Sequence, residues 1–174
     1  MNKEEFGEFV TLIFEESDRA SVIVGSSYID DTLLEILKAK LPNLNSDCFD
    51  FNGPLGTFSS RIIMAYGLGV YSVEIKSQID ILRRIRNSCA HDKVVNFTSN
   101  STTSRIDDMA KPFATQSSWL NLVSEAEEQY GKSNYDTKLR LLMALILGRL
   151  TFILNDVKAI DDTSASKSIL PTNV

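Results

Sequence analysis

Histidine and cysteine are scarce in this sequence of 174 residues, which contains one histidine and two cysteines. The single histidine, His91, excludes an HExxH zinc site within one chain, because that motif needs two histidines. Cys48 and Cys89 are 41 residues apart, so they do not form a CxxC ligand pair. We therefore expect no metal site, no cofactor and no disulfide framework, and two thiols are typical of a protein in the reducing cytoplasm.

Long apolar runs and a surplus of positive charge are also missing. The N-terminal sequence MNKEEFGEFV is acidic and lacks the apolar run of a signal peptide. The longest apolar stretch, residues 141–154, contains Arg149 and is shorter than the roughly 18 residues that a membrane span needs. The net charge of −5 argues against a generally basic nucleic-acid-binding protein. We expect a cytoplasmic protein without a membrane span.

The charge that is present is distributed unevenly along the chain. Residues 1–41 contain nine acidic and four basic residues, whereas residues 42–174 contain fourteen of each. The whole acidic excess therefore belongs to the N-terminal segment. The densest basic cluster consists of Arg83, Arg84 and Arg86, and it lies close to His91.

Apolar residues recur at steps of three and four along most of the chain, which is typical of amphipathic helices. This spacing, together with start and stop signals, predicts six helices. They cover residues 4–14, 18–41, 57–68, 72–91, 118–130 and 136–157. Ser17 and Asp18 are candidate caps for the second helix, and Gly67 and Gly69 are expected to stop the third.

The remaining segments are polar, and no strand pattern appears. Residues 96–104, NFTSNSTTS, are typical of a loop. Residues 161–174 form a polar tail that we expect to be disordered. The sequence therefore predicts an all-α fold, with a single compact bundle of about six helices over residues 1–160.

Two segments are specific enough to indicate a family. Residues 16–41 read ESDRASVIVGSSYIDDTLLEILKAKL, and residues 51–92 read FNGPLGTFSSRIIMAYGLGVYSVEIKSQIDILRRIRNSCAHD. They resemble the mannitol operon repressor (MtlR-like) family, most strongly in the stretch GPLGTFSSRIIMAYGLG. The resemblance implies a compact helical bundle and a role in the negative regulation of mannitol uptake and metabolism.

The resemblance marks a set of residues that we interpret as structural. They are Asp18, Arg19, Asp30, Asp31, Gly53, Pro54, Leu55, Gly56, Arg61, Tyr66, Gly67, Gly69 and His91. Asp30 and Asp31 are adjacent, so on a helix they point about 100° apart and cannot form one acid–base pair. We expect one of them to face solvent and the other to cap a helix or to pair with an arginine.

A repressor that reads DNA would be expected to contain a helix-turn-helix element, and the region around residues 64–79 fits this motif only in part. The late core position of the motif falls on Gln78, which is polar. The helix that would read DNA, SVEIKSQID, carries Glu74 and Asp80 but only Lys76 as a base. A reading helix with more acids than bases repels the phosphate backbone, so direct DNA binding is disfavoured. The preferred interpretation is a helical hairpin with a glycine-containing turn.

The basic cluster that follows allows two interpretations. Arg83 and Arg86 are three residues apart and share a helix face, whereas Arg84 lies off that face. The favoured interpretation is a solvated or ion-paired face. The alternative is a surface that binds an anion or an acidic partner.

The segment from Arg86 to His91 also resembles the motif of HEPN-type ribonucleases, small helical bundles with an arginine, a polar residue and a histidine. On that hypothesis His91 is a general acid or base, Arg86 stabilises charge on phosphate, and Asn87 is the polar residue. Arg86 and His91 diverge by about 140° on a continuous helix. This chemistry therefore requires the helix to end before His91 or a second subunit to contribute. In the structural alternative, His91 interacts with carbonyls at a helix C-terminus, and Arg86 pairs with a carboxylate, either Asp92 or an aspartate of the N-terminal segment.

Our leading hypothesis is a negative regulator of mannitol operon expression that acts through a protein partner and is not an enzyme. The partner is either a component of the sugar-uptake machinery or another transcription factor. The alternatives are a HEPN-type ribonuclease or RNA-binding helical module that uses Arg86 and His91, and a repressor that binds DNA directly. The apolar helix over residues 139–154 is a candidate for self-association.

Overall fold

The computed structural model describes residues 1–91, 97 and 99–157. These residues form seven α-helices: α1 (Lys3–Glu15), α2 (Asp18–Lys40), α3 (Phe58–Gly67), α4 (Val73–His91), α5 (Asn100–Ala110), α6 (Ser117–Tyr130) and α7 (Asn134–Asp156). One turn of 3-10 helix, Ser46–Cys48, lies in the connection between α2 and α3. None of the described residues forms a strand, and the predicted all-α fold is confirmed. Within the same ranges, no helix is long and apolar enough to cross a membrane.

The prediction of a loop over residues 96–104 is wrong from residue 100 onward, where α5 begins. The serines and threonines of this segment are weak helix formers, and they favour turns when no packing opposes them. Here packing decides, because Ile106 and Met109 of α5 are fully buried where the helix lies against α4 and α7. The bundle therefore contains one helix more than the six predicted. The predicted polar tail, residues 161–174, lies outside the described residues.

Side-chain caps define where the first three helices begin. At α1, the backbone N–H of Glu5 donates to Asn2 Oδ1 at 2.9 Å, and the N–H of Asn2 donates to Glu5 Oε2 at 2.8 Å. Ser17, a predicted cap, accepts a hydrogen bond from the N–H of Ala20 at the start of α2. Thr57 caps α3 in the same way. These bonds satisfy N–H groups that have no partner inside the helix.

The two longest helices, α2 and α7, form the centre of the bundle. Helix α2 packs against α1, α3, α4 and α7, and α7 packs against α1, α2, α4, α5 and α6. Gly25 of α2 lies close to α7, because a Cβ atom at this position would be 2.6 Å from Met143 Sδ. The buried apolar residues of α7 are Leu139, Leu141, Leu142, Met143, Ala144, Ile146, Leu147 and Leu150.

Arg140 of α7 is fully buried within this apolar centre. Its guanidinium donates hydrogen bonds to the carbonyl oxygens of Ile13 at 2.8 Å and Glu16 at 3.2 Å. It also donates to Asp18 Oδ1 at 3.0 Å. The carbonyl groups in the last turn of a helix have no partner within that helix. Arg140 therefore holds the corner where α1 ends and α2 begins against the side of α7.

Replacing Arg140 with alanine should lower the free energy of unfolding by about 3 kcal/mol. This is the lower end of the cost of breaking a buried ion pair, because the Asp18 side chain is 41% exposed and is rehydrated when its partner is lost. Urea denaturation followed by circular dichroism measures the change. Arg84→Ala, at an exposed position of α4 that forms no ion pair with a described residue, is the control, with an expected change within about 0.5 kcal/mol. Equal losses in the two variants would contradict the role assigned to Arg140.

Candidate functional site

The arginine cluster predicted from the sequence lies on α4, and only part of it is open to solvent. Arg83 is half-buried, and its Nε atom lies 3.7 Å from Asp80 Oδ1, which is an ion pair but not a hydrogen bond. Arg84 and Arg86 are exposed. Arg86 donates a hydrogen bond to Asn87 Oδ1 at 3.4 Å and forms no ion pair with any described carboxylate. The open basic spot therefore consists of two arginines, and Asp92, one expected partner of Arg86, lies outside the described residues.

His91 is exposed and is the last residue of α4. Because α4 is continuous through this position, the side chains of Arg86 and His91 point about 140° apart. Arg19 of α2 donates to the carbonyl oxygen of Ala90 at 3.2 Å, which satisfies one carbonyl group at the end of α4. The helix does not end before His91, so the first condition for ribonuclease chemistry is not met. Arg86 and His91 would meet in one cleft only across two subunits.

A second arginine–aspartate pair joins α3 to α2. Arg61 is buried and donates to Asp30 Oδ1 at 2.9 Å, to the Leu55 carbonyl oxygen at 2.9 Å and to the Phe49 carbonyl oxygen at 3.4 Å. Asp31, the neighbour of Asp30, is exposed. The two aspartates thus occupy different environments, and Asp30 holds the 49–55 connection in place through Arg61. Among the described residues, no three His, Cys, Asp or Glu side chains are grouped as a metal ion would require.

The Asp30 carboxyl group has a raised pKa. Burial is the main cause, because it penalises the charged carboxylate. The hydrogen bond and the positive charge of Arg61 act in the opposite direction, as does the more distant charge of Arg86, while Asp31 raises the pKa further. The effect of burial on the pKa is larger than the opposing effect of Arg61, so the fold favours the protonated form of Asp30 over the ionised form.

The Gly-Pro-Leu-Gly turn of the family resemblance has a structural role in this fold. A Cβ atom at Gly53 would collide with the carbonyl oxygen of Asp47, and one at Gly56 would collide with that of Asp50. Leu55, between them, is buried and its N–H donates to the Cys48 carbonyl oxygen at 2.8 Å. Both glycines are therefore required by a close backbone approach. Pro54 is exposed at the tip of the turn.

The hairpin between α3 and α4 presents little positive charge. Helix α3 ends at Gly67, and Gly69 adopts a left-handed conformation with φ of 66°. Tyr66 is 40% exposed, and the ammonium group of Lys76 lies 5.9 Å from the centre of its ring. The same ammonium group pairs with Asp80 at 2.6 Å. The only base in the first two turns of α4 is therefore already paired with a carboxylate.

A groove that the sequence pattern does not indicate lies between α1, α2 and α7 and has a volume of about 650 Å³. Its side chains come from both ends of the chain and meet only in the folded molecule. The lining residues are Met1, Glu5, Glu8, Leu12, Tyr28, Asp31, Thr32, Glu35, Leu147, Thr151 and Leu154. Four of these side chains are acidic and none is basic, although the N-terminal ammonium group of Met1 lies 3.8 Å from Glu5. The acidic excess of residues 1–41 indicates an acidic surface on the N-terminal helices. It does not indicate which of the acidic side chains lie together on that surface.

Most of the helix predicted to mediate self-association is buried within the chain. On α7, Leu145 and Phe152 are the large apolar side chains that remain exposed, at 41% and 64%. The guanidinium of Arg149 lies 5.6 Å from the centre of the Phe152 ring. Self-association through α7, which stays a prediction, would therefore have to use the surface formed by Leu145, Arg149 and Phe152.

The raised pKa of Asp30 predicts how stability depends on pH. A raised pKa means that the folded state binds the proton more tightly than the unfolded chain does. Relative to Asp30→Asn, the wild type should therefore be most favoured at acidic pH and lose that advantage as the pH rises past 3.8, the ordinary value. Urea titrations of both proteins between about pH 3.5 and 7 measure the difference, with Asp31→Asn as the control for charge. A difference that grows in favour of the wild type with rising pH would contradict the assignment.

Comparisons with protein-family models and with curated proteins find no match. Among solved structures, the chain is similar to one in the X-ray structure of the MtlR–HPr complex from Escherichia coli. The TM-score is 0.62, the match covers 83% of this chain and 99% of the other, and 16% of aligned residues are identical. The seven-helix bundle therefore has an MtlR-like fold, as the resemblance of residues 16–92 implied.

Proposed function

We propose that this protein is a negative regulator of mannitol operon expression that acts by binding a protein partner. The observation that carries the proposal is the fold, which matches a chain of a complex between MtlR and HPr over 83% of the present sequence. The resemblance of residues 16–92 to the mannitol operon repressor family supports the same assignment. The regulation of an operon takes place in the cytoplasm, which is where the proposal locates the protein.

The N-terminal half of α4, where a helix-turn-helix element would read DNA, opposes direct contact with DNA and so favours a protein partner. The exposed residues of its first two turns are Val73, Glu74 and Ser77, none of which is basic. Lys76 and Arg83 both lie next to Asp80, which offsets their charge. Phosphate contacts from lysine and arginine supply most of the affinity of proteins for DNA. The exposed Glu74 repels phosphate, and the positive charges of Lys76 and Arg83 are offset by Asp80, so this part of α4 opposes such contacts.

We further propose that the protein has no catalytic activity of its own. Arg86 and His91, the only pair that the sequence offers for ribonuclease chemistry, point in different directions along the continuous helix α4. General acid–base catalysis requires the participating groups within hydrogen-bond reach of the same substrate atoms. In the proposed function, the exposed end of α4 has no chemical role.

The partner to test first is HPr from the same organism as this protein. Isothermal titration calorimetry should show saturable binding at micromolar concentrations. In a parallel mobility-shift assay, DNA from the mannitol operon control region should not be retarded by this protein at any of several salt concentrations. Salt-sensitive, sequence-specific retardation of the DNA would contradict the proposal, because it would show direct reading. If HPr does not bind, HPr is excluded as the partner. The proposed partner would then be a different protein, either from the sugar-uptake machinery or a transcription factor.

The absence of catalysis has its own test. The wild type and the His91→Ala variant should both leave a labelled single-stranded RNA uncut, and their unfolding curves should differ by no more than about 0.5 kcal/mol because His91 is exposed. Denaturing gel electrophoresis detects cleavage. RNA cleavage by the wild type that disappears in His91→Ala would overturn the non-enzymatic assignment.

A further inference from the structure

The groove between α1, α2 and α7 combines an apolar floor with an acidic rim. Leu147 lies at its base, fully buried, and Leu12 and Leu154 are half-buried beside it. Tyr28 is 42% exposed, and its ring packs on Phe9 with the ring centres 4.9 Å apart. An exposed aromatic ring held by a core residue is a rigid contact surface of the kind found at interaction sites.

The acids of the rim are available to a partner. Glu8, Asp31 and Glu35 are all exposed, and none forms an ion pair with a described basic side chain. Glu5 differs, because it caps α1 together with Asn2 and lies 3.8 Å from the N-terminal ammonium group. The lining residues include no lysine or arginine, and the one positive charge, the N-terminal ammonium group, lies beside Glu5, so the groove carries a net negative charge.

The dimensions of the groove match a short helix. Its lining residues on α2 extend from Tyr28 to Glu35, and those on α7 extend from Leu147 to Leu154. Seven residues of helix span about 10 Å, which is close to two turns. A docked helix of two to three turns would place apolar side chains, three and four residues apart, along this floor.

We propose that this groove is the docking site for a basic amphipathic helix of the protein partner. The inference rests on the proposed function, namely that the protein acts through another protein. Leucine-like side chains of the partner enter the floor, and its lysine or arginine side chains lie against Glu8, Asp31 and Glu35. The acidic rim repels nucleic-acid phosphates and anionic lipid headgroups, so the charge pattern selects a cationic protein segment.

The test uses a helical peptide of about 14 residues, with leucines at positions i, i+3, i+4 and i+7 and lysines elsewhere. Its binding to the full-length protein is measured by fluorescence anisotropy at low and at physiological salt. Glu8→Lys/Glu35→Lys should weaken binding at least about tenfold, because it removes two favourable charges and adds two repulsive ones. The control is Glu125→Lys/Glu128→Lys, which makes the same charge change at exposed positions of α6 and should alter binding less than about twofold.

Two results of the peptide titration would overturn the docking site, namely no binding of the peptide or equal weakening of its binding by the two double variants. A third such result would come from sedimentation, if the wild type were a dimer that the groove variant alone converts to a monomer. The last would identify a second copy of this chain as the occupant. The same variants are then titrated with HPr. Peptide binding in the groove without HPr binding would refute only HPr as the partner, whereas HPr binding that both double variants retain would refute only the groove.

Discussion

The buried guanidinium of Arg140 is the interaction on which the rest of the bundle depends. It lies on the central helix α7 and bonds to two carbonyl groups at the end of α1 and to Asp18 at the start of α2. A buried charge is tolerated only when its donors are satisfied, so the position of the α1–α2 corner is specified by chemistry as well as by apolar packing. The groove is lined by side chains of the same three helices that meet at this corner, α1, α2 and α7. Arg140 therefore helps to hold together the three helices whose side chains line the surface that we assign to partner binding.

The pair formed by Arg61 and Asp30 has a similar role on the other side of α2. It anchors the connection that contains Gly53 and Gly56, where close backbone contacts leave no room for a side chain. The residues that carry the family resemblance are thus explained to a large extent by folding: two arginine–aspartate pairs, a tight turn, and Arg19 at the end of α4. Most of the residues that the resemblance marks serve the fold, and Asp31 alone among that set also lines the groove that we assign to partner binding.

The sequence predicted the two long helices well, because α2 has a recognisable cap in Ser17 and α7 is rich in apolar residues, most of which are buried. It failed at α5, where serines and threonines indicated a loop and the burial of Ile106 and Met109 produced a helix. It also drew attention to Arg86 and His91, which are prominent in the sequence but separated around α4. The groove was not predictable in the same way. Glu8, Asp31 and Leu147 share a surface only after α1, α2 and α7 have packed, and local patterns carry no information on that packing.

The proposed function gives the uneven charge of the chain a role. In that proposal the acidic, partly apolar groove formed by the N-terminal helices and α7 would receive a partner, and the arginines of α4 would not. The most direct measurement is a nuclear magnetic resonance titration of the isotope-labelled protein with HPr. The account predicts that the amide signals that shift belong to the groove, including those of Glu8, Tyr28, Asp31 and Thr151. An absence of shifts would exclude HPr as the partner, and shifts that cluster instead around Arg84, Arg86 and His91 would contradict the account.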